Sequence, residues 1–121
     1  MTPLLRDTEL QRQGITAAEL QEKFKNQLNK DFELCGLLTY LETFSDFSYE
    51  GVHESLSKTL KQIMSLNFNA YLQLLYRIDI SERHLKEKMK AEFNKPENEV
   101  LADLLIKRIL QKVILKKIYS S

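Results

Sequence analysis

The sequence predicts an all-α protein: a compact bundle of five or six helices packed around a long C-terminal helix. Three observations predict it. Apolar residues recur at every third or fourth position along most of the 121 residues, the period of a helix with one buried face. Only three glycines and two prolines interrupt the chain, while Leu, Lys, Glu and Gln are abundant and favour helix. No run alternates apolar and polar residues as a half-buried strand would. The length suits one domain, which buries roughly two thirds of its unfolded surface without help from a disulfide or a metal.

The elements follow in order. Residues 1–15 show no clear period and are expected to form a weakly structured arm, with Leu4, Leu5, Leu10 and Ile15 as its packing residues. A single helical domain then spans 16–121. Thr16 and Glu19 have the spacing of a capping box, with Ile15 and Leu20 as the flanking staple. Leu20, Phe24 and Leu28 predict a helix over about 17–29. Asn29-Lys30-Asp31 interrupts the pattern. Leu34, Leu37, Leu38, Leu41 and Phe44 resume it and predict a second helix over about 32–44, or a bent continuation of the first. Ser45 to Ser48 form a turn. Val52, Leu56, Leu60 and Ile63 predict a third helix over about 49–65. Asn67 caps a fourth, with Phe68, Tyr71, Leu72, Leu75 and Ile78 on one side. Asp79 and Glu82 form another capping pair, with Ser81 competing, ahead of a fifth helix that carries Leu85, Met89 and Phe93.

The last helix starts near Pro96, a residue suited to a first helical turn. Acids come early (Glu97, Glu99, Asp103) and cations late (Lys107, Arg108, Lys112, Lys116, Lys117), in the order the helix dipole favours. Leu101, Leu104, Leu105, Ile109 and Val113 make one stripe, and Ile106, Leu110 and Ile114 widen it. Such a helix is touched from more than one side. Ile106, Leu110, Ile114 and Ile118 are therefore the expected contacts with a second copy or another protein, their other fate being burial within one chain. Charges interrupt the apolar run too often for a membrane span.

The chemistry-bearing residues are sparse. Cys35 is the one cysteine, so no internal disulfide forms, and its apolar setting suggests a buried thiol. Glu50 and His53 stand at the Glu-x-x-His spacing used by paired-carboxylate metal sites in bundles. Three residues before His84 stands Ser81, so the second half of such a site is missing. Cys35, His53 and His84 lack zinc-ligand spacing. Glycines at 14, 36 and 51 cannot build a phosphate loop. These features predict no metal, no cofactor and no catalytic site. The start of the chain lacks the long apolar region of a secretory signal, which predicts a cytoplasmic protein.

Charge is uneven beneath a net +1. Residues 1–60 hold six Lys/Arg against ten Asp/Glu, and residues 61–121 hold twelve against seven. Arg108, Lys112 and Lys116 lie four apart on one ridge of the last helix, while Arg83 and Lys86 add cations on the fifth. The main expectation is a non-enzymatic interaction module that self-associates through its C-terminal helix. The alternative is nucleic-acid binding through this ridge and a helix-turn-helix-like segment over 79–110.

The run Ile80 to Lys90, with Asn94, Glu99, Val100, Leu101, Leu104 and Ile106 downstream, resembles the second helix-turn-helix of AraC-type transcription regulators over about thirty residues. It departs from that family at Leu75, where the family has a small alanine, and at Asp79 and Asn94, where it has glycines. It departs again at Leu105 and Ile109, where the family has arginine and alanine. The resemblance implies that Glu82, Arg83, Lys86 and Glu87 approach DNA.

Overall fold

The computed structural model describes residues 2–119. Six α-helices account for most of the chain: α1 (Asp7–Gln13), α2 (Ala17–Leu34), α3 (Tyr49–Leu66), α4 (Phe68–Arg77), α5 (Glu82–Ala91) and α6 (Glu97–Tyr119). A 3₁₀ turn covers Leu38–Tyr40. No strand occurs among the described residues. The compact bundle around a long final helix is therefore present, with α6 packed against α1, α2, α3 and α5.

Side chains set where the helices begin. The Thr16 hydroxyl accepts from the Glu19 N–H at 3.1 Å, and Ser48 accepts from Gly51 N–H at 3.1 Å. The Asn67 amide oxygen accepts from Ala70 N–H at 3.2 Å, and Ser81 accepts from His84 N–H at 3.0 Å. Each bond satisfies a donor that has no partner inside its own helix. Ser81 is thus the cap of α5, and Asp79 instead turns the chain with a positive φ of 63°. Glu19 does not reach back to complete its capping box but pairs with Lys23 and Lys117.

The division of residues 17–44 differs from the sequence expectation. One helix, α2, runs through Asn29-Lys30-Asp31 to Leu34, and no second α-helix follows. Gly36 takes φ 70°, a left-handed conformation that suits glycine and turns the chain away from the helix. Of the residues that suggested a stripe there, Leu37 is buried, while Leu34 and Leu38 are exposed. Leu41 and Phe44 are half-buried and pack on the core from a loop. That loop is tied down by α3. Thr59 accepts from Glu42 N–H at 3.1 Å, and Ser55 donates to the Thr43 carbonyl at 3.2 Å.

The inner face of α4 is also rotated from the expected stripe. Ala70, Tyr71, Leu74 and Leu75 are buried, whereas Phe68 and Leu72 face outward. The small Ala70 lets this face lie close to its neighbours, so the helix turns its larger residues at 68 and 72 to the surface.

Val52, Leu56, Leu60 and Ile63 of α3 are fully buried against α6, as are Leu101, Leu105 and Ile109 from the other side of the contact. On α6, burial is continuous around the helix from Val100 to Ala102, and again from Leu104 to Ile106. Four helices around one rod give this pattern. Within residues 1–15, α1 buries Leu10, and Ile15 is buried after it. The N-terminus is also held, because Tyr49 N–H donates to the Thr2 carbonyl at 2.6 Å.

Gly51 allows the tightest backbone approach. A Cβ there would sit 2.6 Å from Asp46 Oδ1 and 2.8 Å from the Asp46 carbonyl oxygen. Alanine is ordinarily the better helix former by about 1 kcal/mol. Gly51→Ala should nevertheless destabilise the protein by roughly 1–3 kcal/mol, because α3 must move off the loop. Urea unfolding followed by circular dichroism measures this, and a gain in stability would contradict the packing described.

Candidate functional site

A broad concavity, with a volume of about 850 Å³, lies between α5 and α6. Its apolar lining comes from Leu104, Leu110, Ile114 and Leu115 of α6, with Ile80 before α5 and Leu5 from the N-terminal segment. Its polar rim carries His84, Lys88, Lys107, Arg108 and Gln111, with Asp79 as the one acid among the lining residues. Beyond the groove the last turn of α6 carries exposed Ile118 and Tyr119. A second groove, of about 520 Å³, lies between α2 and the end of α6 and is lined by Lys23, Lys30 and Lys116 among others.

The expected contact residues separate by depth. Ile106 and Leu110 lie in the chain's own core. Ile114 is half-buried on the wall of the larger groove, and Ile118 is exposed. The helix winds these positions away from α5 as it runs past the end of that shorter helix.

The basic ridge is drawn into the structure. Lys112 Nζ lies 3.0 Å from Asp31 Oδ2, and Arg77 Nε lies 3.3 Å from Asp31 Oδ1. Asp31 is itself fully buried. Gln27, one turn earlier, donates to Asp31 Oδ2 at 3.1 Å and accepts from Lys116. Lys117 reaches Glu19 at 2.9 Å. Arg108 donates to the Ile78 carbonyl at 3.1 Å and to Gln111 Oε1 at 2.9 Å, with Asp79 at 3.7 Å. The three cations of the ridge thus bind α2 and the α4–α5 turn. On α5, Arg83 and Lys86 are exposed, and Arg83 pairs with Glu87 at 3.2 Å. Glu82 and Glu87 offset these two cations, while Lys88 and Lys90 leave α5 with an excess of two positive charges.

The α4–turn–α5 segment has helix-turn-helix connectivity. Asp79, in the turn between α4 and α5, holds a positive φ of 63°. Leu75, in place of the small alanine of AraC-type regulators, is buried in the core.

Glu50 and His53 do not converge on a common point. Glu50 accepts from the Thr2 N–H and hydroxyl, and these bonds depress its pKa to about 2. His53 Nε2 lies 2.9 Å from the Glu99 carbonyl, so Nε2 carries the proton and donates. The His53 ring stacks on Tyr49 with centroids 5.5 Å apart. Tyr49 donates to Asp103, which also pairs with Lys107 at 2.9 Å. Among the described residues no group of three His, Cys, Asp or Glu is placed to hold a metal ion. Cys35 is half-buried, and burial raises its pKa, which disfavours the reactive thiolate. No described helix is long and apolar enough to cross a membrane.

With this geometry in hand, comparison with protein-family models, curated proteins and solved structures finds no match to the chain.

Tyr49 and Tyr71 are the tyrosines whose pKa values are raised. Burial raises both pKa values, and the acceptors Asp103 and Glu97 raise them further. A raised folded-state pKa contributes stability that is present below the unfolded value, near 10, and lost as pH climbs through the folded value. Two of the five tyrosines should therefore ionise only as the protein unfolds at alkaline pH. Absorbance titration alongside circular dichroism checks this. Reversible ionisation of all five in folded protein near pH 10 would contradict the two part-buried hydrogen bonds.

Proposed function

We propose that the protein is a non-enzymatic interaction module whose docking surface is the α5–α6 groove and the adjoining end of α6. The observation that carries this reading is an apolar wall, Ile114 and Leu115, beneath a rim with Lys88, Lys107 and Arg108. Apolar anchors below a charged rim are the arrangement that seats an amphipathic helix. The rim selects the sign of the partner. Lys107 pairs with Asp103, and Arg108 bonds the Ile78 carbonyl and Gln111. With Lys88 the rim keeps a small net positive charge, whose field favours an acidic helix and disfavours a second copy of the same groove. Self-association through the C-terminal helix is weakened as a reading for that reason, and because Ile106 and Leu110 are committed to the core.

Nucleic-acid binding has less support. Arg108, Lys112 and Lys116 each bond within the chain, and a phosphate would have to displace those bonds. On α5 the four cations Arg83, Lys86, Lys88 and Lys90 stand with two acids, Glu82 and Glu87, and Arg83 pairs with Glu87.

A designed acidic amphipathic peptide, with leucines at helical spacing and glutamates elsewhere, is the direct probe. Fluorescence anisotropy should show micromolar binding that weakens with salt and falls about tenfold or more in Leu115→Glu, whose new charge repels the peptide. A peptide of the same composition in scrambled order should bind far less. Absence of peptide binding, or tight salt-sensitive binding of duplex DNA in its place, would overturn the reading.

A further inference from the structure

We propose that the groove between α2 and the end of α6 binds an elongated anion, a linear polyphosphate carrying a flat ring, which is the chemistry of a nucleoside triphosphate. This groove is separate from the one between α5 and α6. Its volume of about 520 Å³ is in the range of small-molecule sites. Lys23, Gln27 and Lys30 of α2 face Val113, Lys116 and Tyr119 of α6 across it. The lining holds three cations and no acid. The other acids of the middle and end of α2, Glu22 and Glu33, are exposed and stand outside that lining.

The floor of the groove is fixed by bonds already made. Gln27 is buried, its amide nitrogen donates to Asp31, and its oxygen accepts from Lys116. Val113 is buried on the facing helix. The cations on the walls are open to exchange. Lys30 is exposed. Lys23 Nζ lies 3.2 Å from Glu19 Oε1, and Lys117 holds the same oxygen at 2.9 Å. Glu19 therefore keeps a partner when Lys23 turns to a ligand, and a solvent-accessible pair of this kind is worth little. Lys116 stays with Gln27 and adds its field from the opposite wall.

Spacing and lining set the ligand's shape. Lys23 and Lys30 are two turns apart, roughly 10 Å along the helix axis, and Lys116 meets Gln27 between them. A single phosphate contacts both lysines only if both side chains bend inward, which costs side-chain freedom. A chain of phosphates spans them with less ordering. Tyr119, 83% exposed, offers a flat apolar face at the end of the groove, on which an aromatic ring can stack. The lining has no carboxylate to hold a divalent cation, so the lysines themselves balance the phosphate charge.

Isothermal titration calorimetry of the full chain in magnesium-free buffer, with ATP, tripolyphosphate and orthophosphate as the three probes, tests this. ATP should bind with a Kd on the order of 100 μM or tighter at low ionic strength and several-fold more weakly at physiological salt. Tripolyphosphate, which has no ring for Tyr119, should bind several-fold more weakly than ATP, and orthophosphate about tenfold more weakly again. Lys30→Gln should weaken ATP binding about tenfold, and Tyr119→Ala should reduce ATP to the level of tripolyphosphate. Lys25→Gln, on the side of α2 that lines a different groove, should bind ATP as the parent does. So should Leu115→Glu, which keeps this result independent of peptide binding between α5 and α6. Absence of ATP binding at low salt overturns the proposal. So does an equal loss in Lys25→Gln and Lys30→Gln, or orthophosphate binding as tightly as tripolyphosphate. A Tyr119→Ala variant that keeps full preference for ATP removes the ring from the assignment.

Discussion

The buried carboxylate of Asp31 fixes more of this molecule than any other polar group. A charge removed from water costs several kcal/mol unless partners replace the solvent. Asp31 sits in the last turn of α2 with no exposure, and its partners come from three places. Gln27 is one turn away on the same helix, Arg77 ends α4, and Lys112 lies on α6. Those contacts set how α4 and α6 rotate and slide against α2. Asp31 Oδ1 has no hydrogen-bond donor in good geometry, so the Arg77 charge stabilises it chiefly through proximity.

The rest of the α6 surface follows from that register. With Lys112 turned onto α2, Lys116 and Lys117 fall beside Gln27 and Glu19. One turn earlier, Arg108 meets the end of α4 at the Ile78 carbonyl. A row of cations that would otherwise form a basic stripe becomes a set of ties from the last helix to α2 and, through Arg108, to the α4–α5 turn. The acidic bias of residues 1–60 and the basic bias of residues 61–121 are partly explained by these long-range pairs. The same register carries Leu115 and Ile118 past the end of α5, where the bundle no longer covers them.

Much of the fold was legible in the sequence because capping and apolar spacing are local. Thr16, Ser48, Asn67 and Ser81 start helices where side-chain chemistry allows it, and the α3 stripe from Val52 to Ile63 is wholly buried. Two misreadings had physical causes. Asn29-Lys30-Asp31 looked like a break because a buried aspartate is invisible until its distant cations are known. Residues 38–44 looked helical because leucines packing from a loop can imitate a stripe, while Gly36, with its left-handed φ, was the available signal. The inner face of α4 was misjudged because small Ala70, rather than Leu72, faces the core. Of the groove lining, Leu110 and Ile114 are among the contact residues the sequence suggests, and Arg108 among its ridge cations. The remaining walls join residues from distant parts of the chain, and periodicity along one helix does not report them.

The most direct test is a double-mutant cycle between Asp31→Asn and Lys112→Met, with all four proteins unfolded in urea. If the carboxylate organises α2 against α6, Asp31→Asn alone destabilises by roughly 2–4 kcal/mol. The two losses then fail to add by about 1 kcal/mol or more. Additivity within about 0.5 kcal/mol, with Asp31→Asn close to neutral, would mean that Lys112 is not tied to α2 and that the account of the basic ridge is wrong.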